Sequence, residues 1–317
     1  MEIGVIGAGG ISANVHLPLL SCITNVRIKF IADIFEPKEL AKVYDTQSIK
    51  INDVTNLPDC DAVLLAIPVG TREKYIHEFS KRGTPIFAEK PFAIDLETHK
   101  NFLKSSKKIS CNHMRVYYNS TRTIRDIIDS KAFGTLKKVI ITEGGIIGKT
   151  RREGNSYQGD PKLSGGGILM ELGCHTLSQL AFIFDNISVR KSKVIWQDGF
   201  DIDAQVIFDL PDYNSSIDYH ITMIKSVEPL AQFCFEHAVV SFNHLLPDSI
   251  FNVTNYKNEK QFTINQNDRF ANTFGQAYYL KWKSFLDNLS GGKTINTEIE
   301  TSLETTKMIS DIIKNGT

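Results

Sequence analysis

Short, mostly apolar segments alternate with amphipathic segments through the first 120 residues of the chain. Near-continuous apolar runs are typical of strands that are buried on both faces of a parallel sheet. Such runs occur at 3–6, 28–32, 62–67, 85–88 and 109–111. Apolar residues three and four positions apart at 71–82 and 96–105 predict helices between them. This alternation predicts a doubly wound sheet, whose ligands bind beyond the carboxyl ends of the strands.

The pattern changes after residue 118 to strands in which apolar and polar residues alternate. Val206, Phe208 and Leu210 are an example, and one-sided burial of this kind suits an antiparallel sheet covered on one face. We predict strands at 138–147, 193–197, 202–210, 215–223, 231–236, 239–244 and 251–253, and helices at 117–130, 274–289 and 302–313.

The predicted fold class is therefore α/β with two domains. Residues 1–118 form an N-terminal Rossmann domain with a doubly wound parallel sheet. Residues 119–317 form a C-terminal α+β domain with an open, largely antiparallel sheet. A length of 317 residues fits about two domains.

Charge and cysteine content restrict the possible partners. The 36 basic and 36 acidic residues give a formal net charge of zero, so no overall field attracts nucleic acid or an anionic membrane. Five scattered cysteines without CxxC spacing predict neither a disulfide framework nor a metal site. No run reaches the ~18 apolar residues of a membrane span. A buried strand from residue 2 or 3 leaves no room for a signal peptide, so we expect a cytoplasmic protein with a small-molecule partner.

A glycine-rich stretch follows the first strand directly. Gly7-Ala8-Gly9-Gly10-Ile11-Ser12 is close to the dinucleotide-binding fingerprint, with Ser12 in place of the third glycine. Gly7 allows the sharp turn, Gly9 lets a pyrophosphate approach the backbone, and the helix N-terminus that follows favours phosphate. Asp33 ends the second strand, where a carboxylate binds the ribose hydroxyls of NAD, although a strand-end turn residue is the alternative. Because no arginine follows it, we expect NAD rather than NADP.

The sequence Glu89-Lys90-Pro91 falls at the carboxyl end of another predicted strand. A lysine at this edge can hydrogen-bond a substrate oxygen and stabilise developing negative charge, whereas an ordinary solvated lysine is the alternative. The peptide bond before Pro91 is a candidate for the cis form, since a rigid turn would aim Lys90.

A second glycine run, at 165–167, precedes a predicted helix that carries Glu171 and His175. At a spacing of four, both side chains leave the same face of a regular helix, and the carboxylate would orient the imidazole and raise its pKa. This pair suits proton transfer; a histidine that caps a neighbouring group is the alternative. The polar stretch 148–164 before it is long for a compact domain, so we expect it to cover a substrate.

Together these motifs resemble the Gfo/Idh/MocA family, the relatives of glucose–fructose oxidoreductase and inositol dehydrogenase. The resemblance implies an NAD(P)-dependent oxidoreductase that interconverts a secondary alcohol and a ketone on a sugar, polyol or nucleotide sugar. It also implies a homodimer or homotetramer, because exposed apolar positions on an open sheet are commonly buried by another subunit.

The family's catalytic lysine, helix acid and helix histidine correspond to Lys90, Glu171 and His175. The residues expected to bind the cofactor are Gly7, Gly9, Gly10, Ile11, Asp33, Ile67, Pro68, Glu89 and Lys90. Weaker candidates for the substrate, two at the domain junction and two in the polar stretch, are Arg115, Tyr118, Arg151 and Tyr157.

Three departures from the family pattern leave alternatives open. Glu171 stands where the family has aspartate, and Ser178 replaces a second aspartate. Ile67 and Arg72 replace the threonine and histidine near the proline after the fourth strand. A catalytically weakened nucleotide-binding regulator or scaffold is therefore the alternative, and an enzyme that reduces an imine or enone is another. Retention of both the lysine and the histidine argues against the regulator or scaffold.

Overall fold

The computed structural model describes residues 1–106, 108–146, 156–264, 270–291 and 296–316. The chain divides into two compact units, Met1–His113 with Tyr278–Leu303, and Met114–Ala277 with Glu304–Thr317. The sequence-based division into 1–118 and 119–317 differs from this, because a late segment joins the first unit. The physical reason is aromatic packing, since Trp282 stacks on Phe87 with ring centroids 4.0 Å apart.

The first unit is built on the predicted doubly wound sheet. Its six strands are all parallel and lie in the order β3-β2-β1-β4-β5-β6. They are β1 Glu2–Ile6, β2 Arg27–Asp33, β3 Gln47–Lys50, β4 Ala62–Leu65, β5 Ile86–Ala88 and β6 Ile109–Cys111. The helices are α1 Leu17–Cys22, α2 Lys38–Val43, α3 Glu73–Lys81 and α4 Leu96–Ser105.

Two elements of this unit are absent from the sequence-based prediction. The edge strand β3 has the sequence Gln-Ser-Ile-Lys, in which no residue is fully buried, so it lacks the apolar run that identifies the other strands. The short helix α2 buries only Ala41, which leaves no apolar periodicity to detect.

The second unit contains an eight-stranded sheet in the order β14-β13-β12-β11-β7-β10-β9-β8. Only β10 and β7 pair in parallel, so the prediction of a largely antiparallel sheet is confirmed. The strands are β7 Leu136–Gly144, β8 Ser188–Gln197, β9 Phe200–Leu210, β10 Ser215–Thr222, β11 Leu230–Phe235, β12 Ala238–Phe242, β13 Phe251–Asn255 and β14 Gln261–Ile264. The remaining helices are α5 Asn119–Asp129, α6 Pro161–Ser164, α7 Cys174–Ile183, α8 Phe274–Ser290 and α9 Asn296–Asn315.

One face of this sheet carries the core of the second unit. Val206 and Phe208 on β9 are buried with Leu177 and Leu180 of α7, whereas Ile207 between them is partly exposed. The alternation along β9 is therefore the one-sided burial predicted from the sequence. In the described parts of the chain, no helix has both the length and the apolar character needed to cross a membrane.

Candidate active site

The glycine-rich loop leaves the carboxyl end of β1 in a conformation that requires glycine at its first position. Gly7 has a φ of +99°, and a Cβ there would lie 2.2 Å from the carbonyl oxygen of Ala66. A Cβ on Gly9 would meet no heavy atom within 4 Å, so the space beyond this residue is open. The chain therefore turns sharply at Gly7 and presents bare backbone at Gly9, which fits the approach of a pyrophosphate.

Ser12 replaces the third glycine of the fingerprint without separating the helix from the strand. Its side chain is fully buried, and its Oγ donates a hydrogen bond to the carbonyl oxygen of Gly7. The sequence predicts a helix after the glycine loop, and in the structure a π-helical turn at Ser12–His16 precedes α1. Gly10 and Ile11 are already helical, so their N–H groups belong to the first turn, where backbone donors are available for an anion.

Asp33 at the end of β2 lies against the same loop. Its Oδ2 accepts a hydrogen bond from the Ala8 N–H at 2.6 Å, and its Oδ1 accepts one from Phe35 N–H at 3.4 Å. Ile67 is also beside the loop, since its Cγ2 would lie 3.0 Å from a Cβ on Gly7. The carboxylate thus combines the turn role with a position suited to ribose hydroxyls.

The Glu89-Lys90-Pro91 turn follows β5, and its Lys90–Pro91 peptide is cis as the sequence suggested. Glu89, expected to contact the cofactor, is 6% exposed and accepts hydrogen bonds from its own chain. Its Oε1 binds His16 Nε2 at 2.8 Å and Asn112 Nδ2 at 2.6 Å, and its Oε2 accepts from the Lys90 N–H at 3.1 Å. Burial opposes ionisation, but the bonds from His16 and Asn112 hold the pKa of Glu89 below its usual range.

A tryptophan N–H determines which ring nitrogen of His16 donates to Glu89. Trp282 Nε1 donates to His16 Nδ1 at 2.9 Å, so this nitrogen is an acceptor and the ring proton lies on Nε2. His16 therefore donates to the Glu89 carboxylate through Nε2. The sequence analysis assigned neither His16 nor Trp282 to the site. For His16, the available signal was a polar side chain on the buried face of the first predicted helix.

Arg72, one of the departures from the family pattern, is 1% exposed. Its guanidinium donates to the carbonyl of Ile67, at 3.3 Å from Nε and 3.0 Å from Nη2. It also donates from Nη1 to the carbonyl of Pro91 and, at 3.3 Å, to that of Phe92. The arginine thus connects the chain after β4 with the turn that carries Lys90.

In the second unit, the glycine run makes a close approach to protein backbone. A Cβ on Gly167 would lie 2.0 Å from the carbonyl oxygen of Asp201 at the start of β9. The fully buried Asp201 carboxylate accepts hydrogen bonds from Gly167 N–H and, at 2.7 Å, from Leu169 N–H. The backbone therefore packs on a strand here, and Asp201 is a residue that sequence reasoning missed.

The helix that carries Glu171 and His175 is not regular. Leu169–Gly173 is a π-helical turn and α7 begins at Cys174, so the expectation of one regular α-helix through Glu171 and His175 is wrong. A π-turn bonds residues five apart instead of four, so the helix is wider just before His175. Glu171 is partly exposed and its Oε1 accepts from Gln158 Nε2 at 3.5 Å, while His175 is 8% exposed.

Ser178, the second replaced acid, has a structural partner. It is fully buried in α7, and its Oγ donates to the carbonyl oxygen of His175 at 2.7 Å. A longer, charged side chain would not fit this enclosed position without rearrangement. Ser178 therefore belongs to the helix that carries the histidine.

Two of the predicted substrate residues are enclosed within the second unit. Arg115 is 9% exposed and Tyr118 is fully buried, and burial raises the pKa of Tyr118 to about 12. Near Arg115, buried Glu143 accepts from Tyr219 Oη at 2.7 Å and lies 3.7 Å from His244 Nε2. Burial works against ionisation, but His244, Arg115 and Tyr219 lower the pKa of Glu143. Arg115 is thus next to a buried carboxylate.

The other two predicted substrate residues lie in the polar stretch before the glycine run. Tyr157 is 47% exposed in a short turn at Tyr157–Gly159. Arg151 lies outside the described residues. Among the residues that the structure describes, no group of three histidine, cysteine or acidic side chains is placed to hold a metal ion.

Known protein families match both units. Residues 1–118 match the model described as "Oxidoreductase family, NAD-binding Rossmann fold", and residues 121–225 match the "GFO/IDH/MocA C-terminal domain". Inositol 2-dehydrogenase of Rhizobium meliloti (strain 1021) is 26% identical over 223 residues, which cover 68% of this chain and 63% of that protein. The rhizopine catabolism protein MocA of Rhizobium meliloti is 24% identical over 68% of this chain and 69% of its own.

Solved structures share the fold over the whole chain. A 3-ketoreductase from Actinomadura kijaniata, in complex with TDP-benzene and NADP, matches with a TM-score of 0.83 at 14% identity, covering 100% of this chain and 98% of that one. A levoglucosan dehydrogenase in complex with NADH and levoglucosan matches with a TM-score of 0.82 at 12% identity and the same coverage. The match with the first inositol dehydrogenase spans less than two thirds of that relative, at 63% of its length.

Proposed function

The chain belongs to the Gfo/Idh/MocA oxidoreductase family, and on that premise we propose that it is an NAD(P)-dependent dehydrogenase or reductase that acts on CH–OH groups. The substrate is a sugar, a polyol or a nucleotide sugar, in which a secondary alcohol and a ketone interconvert. The observation that carries the proposal lies in the first unit. The open glycine loop after β1 and Lys90 after β5 stand at the carboxyl edge of one parallel sheet, where such sheets bind dinucleotides and their substrates.

The reaction divides between proton and hydride transfer. When bound, the nicotinamide cofactor supplies the hydride acceptor and donor. His175 takes the hydroxyl proton as general base, and Lys90 hydrogen-bonds the same oxygen and stabilises the charge that develops on it. The Glu171 carboxylate orients the imidazole and favours its protonated form. In the reverse direction His175 returns the proton to the carbonyl oxygen. Lys90, as the neutral amine, can take the role of base in place of His175, because either side chain can accept a proton and return it.

We propose NAD as the cofactor in preference to NADP. The Asp33 carboxylate would accept hydrogen bonds from the ribose hydroxyls, and it would repel a 2′-phosphate. We expect NADPH to bind at least ~10-fold more weakly than NADH, a difference of about 1.4 kcal/mol, in a fluorescence titration. Asp33→Asn keeps an oxygen for the Ala8 N–H but removes the charge, so it should narrow this difference. Equal affinities in the unaltered protein would contradict the assignment.

An activity screen tests the proposed function against its alternatives. The purified protein is first titrated with NADH by fluorescence and then assayed with polyols, aldoses, nucleotide sugars, imines and enones. Turnover of a secondary alcohol or of its ketone supports the proposal. Cofactor binding without turnover of any compound supports a regulator or scaffold, and turnover confined to imines or enones supports the other enzyme class.

We further propose that the protein forms a homodimer or homotetramer through its open sheet. Ile140, Ile195 and Ile207 are partly exposed on the second unit's sheet, and Ile195 is 40% exposed. A second copy of the chain that covered this face would remove these apolar side chains from water. A cytoplasmic location stays a prediction from the sequence.

A further inference from the structure

The turn that carries Lys90 is held on two sides by buried side chains. From this arrangement we propose that Arg72 and Glu89 are positioning residues, which fix the backbone of Lys90 so that its amine meets the substrate oxygen. The inference rests on the proposed oxidoreductase function. It assigns Arg72 a part in catalysis through Lys90, although its replacement of the family's histidine favours a weakened enzyme when the sequence alone is considered.

Arg72 fixes the turn from the side of β4. Its donors reach the carbonyls of Pro91 and Phe92 beyond the lysine and the carbonyl of Ile67 after β4. A planar guanidinium can bind oxygens of two segments at once, whereas a shorter or single-headed donor cannot bind both. Arg72 is 1% exposed, so water has little access to replace these hydrogen bonds.

Glu89 fixes the turn from the side of α1. Its Oε2 accepts from the backbone N–H of Lys90 at 3.1 Å, and its Oε1 accepts from His16 and Asn112. Every hydrogen-bond partner that the structure shows for this carboxylate is therefore a donor. In Glu89→Gln, one orientation of the amide would place its NH2 group against the Lys90 N–H, and the other would place it against His16 and Asn112.

The orientation of the His16 ring is itself determined by a buried contact. Trp282 donates to Nδ1 at 2.9 Å and stacks on Phe87 of β5, so the indole is held by its ring and its N–H together. Trp282→Phe would keep an aromatic ring beside Phe87 but would remove the donor together with part of the ring volume. This variant therefore weakens the support of Glu89, and its thermal unfolding shows how much stability the lost volume costs.

Hydrogen bonds thus hold the backbone on both sides of the Lys90 side chain. Glu89 binds the N–H of Lys90, and Arg72 binds the carbonyl of Pro91. A side chain on a fixed backbone starts close to its reactive position, and a displacement of about 1 Å at a catalytic group can cost ~10²-fold in rate. Loss of either anchor should therefore lower turnover more than it lowers stability or cofactor affinity.

The chain offers a matched control for Arg72. Arg82 lies in the same unit and also donates to backbone carbonyls, to Leu57 at 2.7 Å and to Thr55 at 2.9 Å. It has no contact with the Lys90 turn among those the structure shows, so Arg82→Gln removes comparable bonds elsewhere. Any loss common to both glutamine variants is structural, and a loss confined to Arg72→Gln is a positioning effect.

The test is a double-mutant cycle between Arg72 and Lys90, with thermal unfolding and NADH affinity measured on every variant. We expect Arg72→Gln to lower kcat ~10–100-fold and to leave NADH affinity unchanged, and Arg82→Gln to retain kcat. In a Lys90→Ala background, Arg72→Gln should add no further loss. Faster amide exchange at Glu89, Lys90 and Phe92 in Arg72→Gln, but not in Arg82→Gln, would show the freed turn directly.

If Arg72→Gln fails to fold, Glu89→Gln and Trp282→Phe enter the same cycle. Equal kcat in the Arg72 and Arg82 variants, or an undiminished loss in the Lys90→Ala background, would overturn the positioning role alone. Unchanged turnover in Lys90→Ala by itself would instead overturn the proposed function. A protein that turns over none of the compounds in the screen would remove both.

Discussion

Alanine in place of His175 is expected to lower turnover ~10²–10⁴-fold while leaving NADH affinity unchanged. The imidazole is the proposed general base, and a positioned base of this kind contributes a factor of that size. The cofactor loop lies in the first unit and His175 in the second, so removal of the ring leaves the residues of the loop intact. In His175→Ala, the pH profile of kcat/KM should also lose the limb that reports the general base.

A second histidine of the same unit provides the control. His237 lies exposed between β11 and β12, and His237→Ala should keep the turnover of the unaltered protein. Thermal unfolding is measured on both variants, because His175 is 8% exposed and its removal leaves a small cavity. A His175→Ala protein that is folded and fully active would exclude the ring from the reaction.

Local patterns were sufficient to predict most of the fold. Continuous apolar runs identified five of the six strands of the first sheet, and alternation identified most strands of the second. Burial of one or both faces of a strand determines which of its neighbouring residues are apolar, so a short stretch of sequence is enough to predict it. The missed strand β3 is a half-buried edge strand with one strongly apolar residue, Ile49. The return of Tyr278–Leu303 to the first unit was missed too, since it depends on packing between distant residues.

The predicted site shows the same limit. Lys90, Glu171 and His175 were identified from motifs, in which a few neighbouring residues carry the signal. The residues that hold the site in shape bind over long separations, as Trp282 does to His16 across 266 positions and Gly167 does to Asp201 across 34. A sequence pattern that reports spacings of two to four cannot register such pairs. The π-helical turn before His175 was missed as well, because its residues have ordinary helical spacing.

Two of the departures from the family pattern take on a different meaning once their contacts are known. Ser178 binds the backbone of the helix that carries His175, and Arg72 binds the backbone of the turn that carries Lys90. Each supports an element on which a proposed catalytic residue lies. Both departures therefore have a structural explanation in this chain that does not require a loss of catalysis.

Gly9→Ala is expected to weaken NADH binding ~5–150-fold without lowering the stability of the protein. In the free protein, a Cβ at this position meets no heavy atom within 4 Å, so the methyl group adds no internal clash. With the dinucleotide bound, the pyrophosphate must approach this backbone, and an inserted methyl group costs about 1–3 kcal/mol at a close-packed contact. A fluorescence titration measures the affinity, and thermal unfolding measures the stability.

Two other glycines make this result specific. Gly7→Ala places its Cβ 2.2 Å from the Ala66 carbonyl oxygen at a φ of +99°, so it should lower stability as well as affinity. Gly275→Ala adds the same methyl group in α8, where the nearest atom, Thr273 Oγ1, is 4.0 Å away, and it should leave the affinity unchanged without lowering the stability. Gly9→Ala should lower NADH affinity without lowering stability only if a phosphate binds against the Gly9 backbone. Unaltered NADH binding by Gly9→Ala would therefore contradict dinucleotide binding at this loop, whatever the family of the chain.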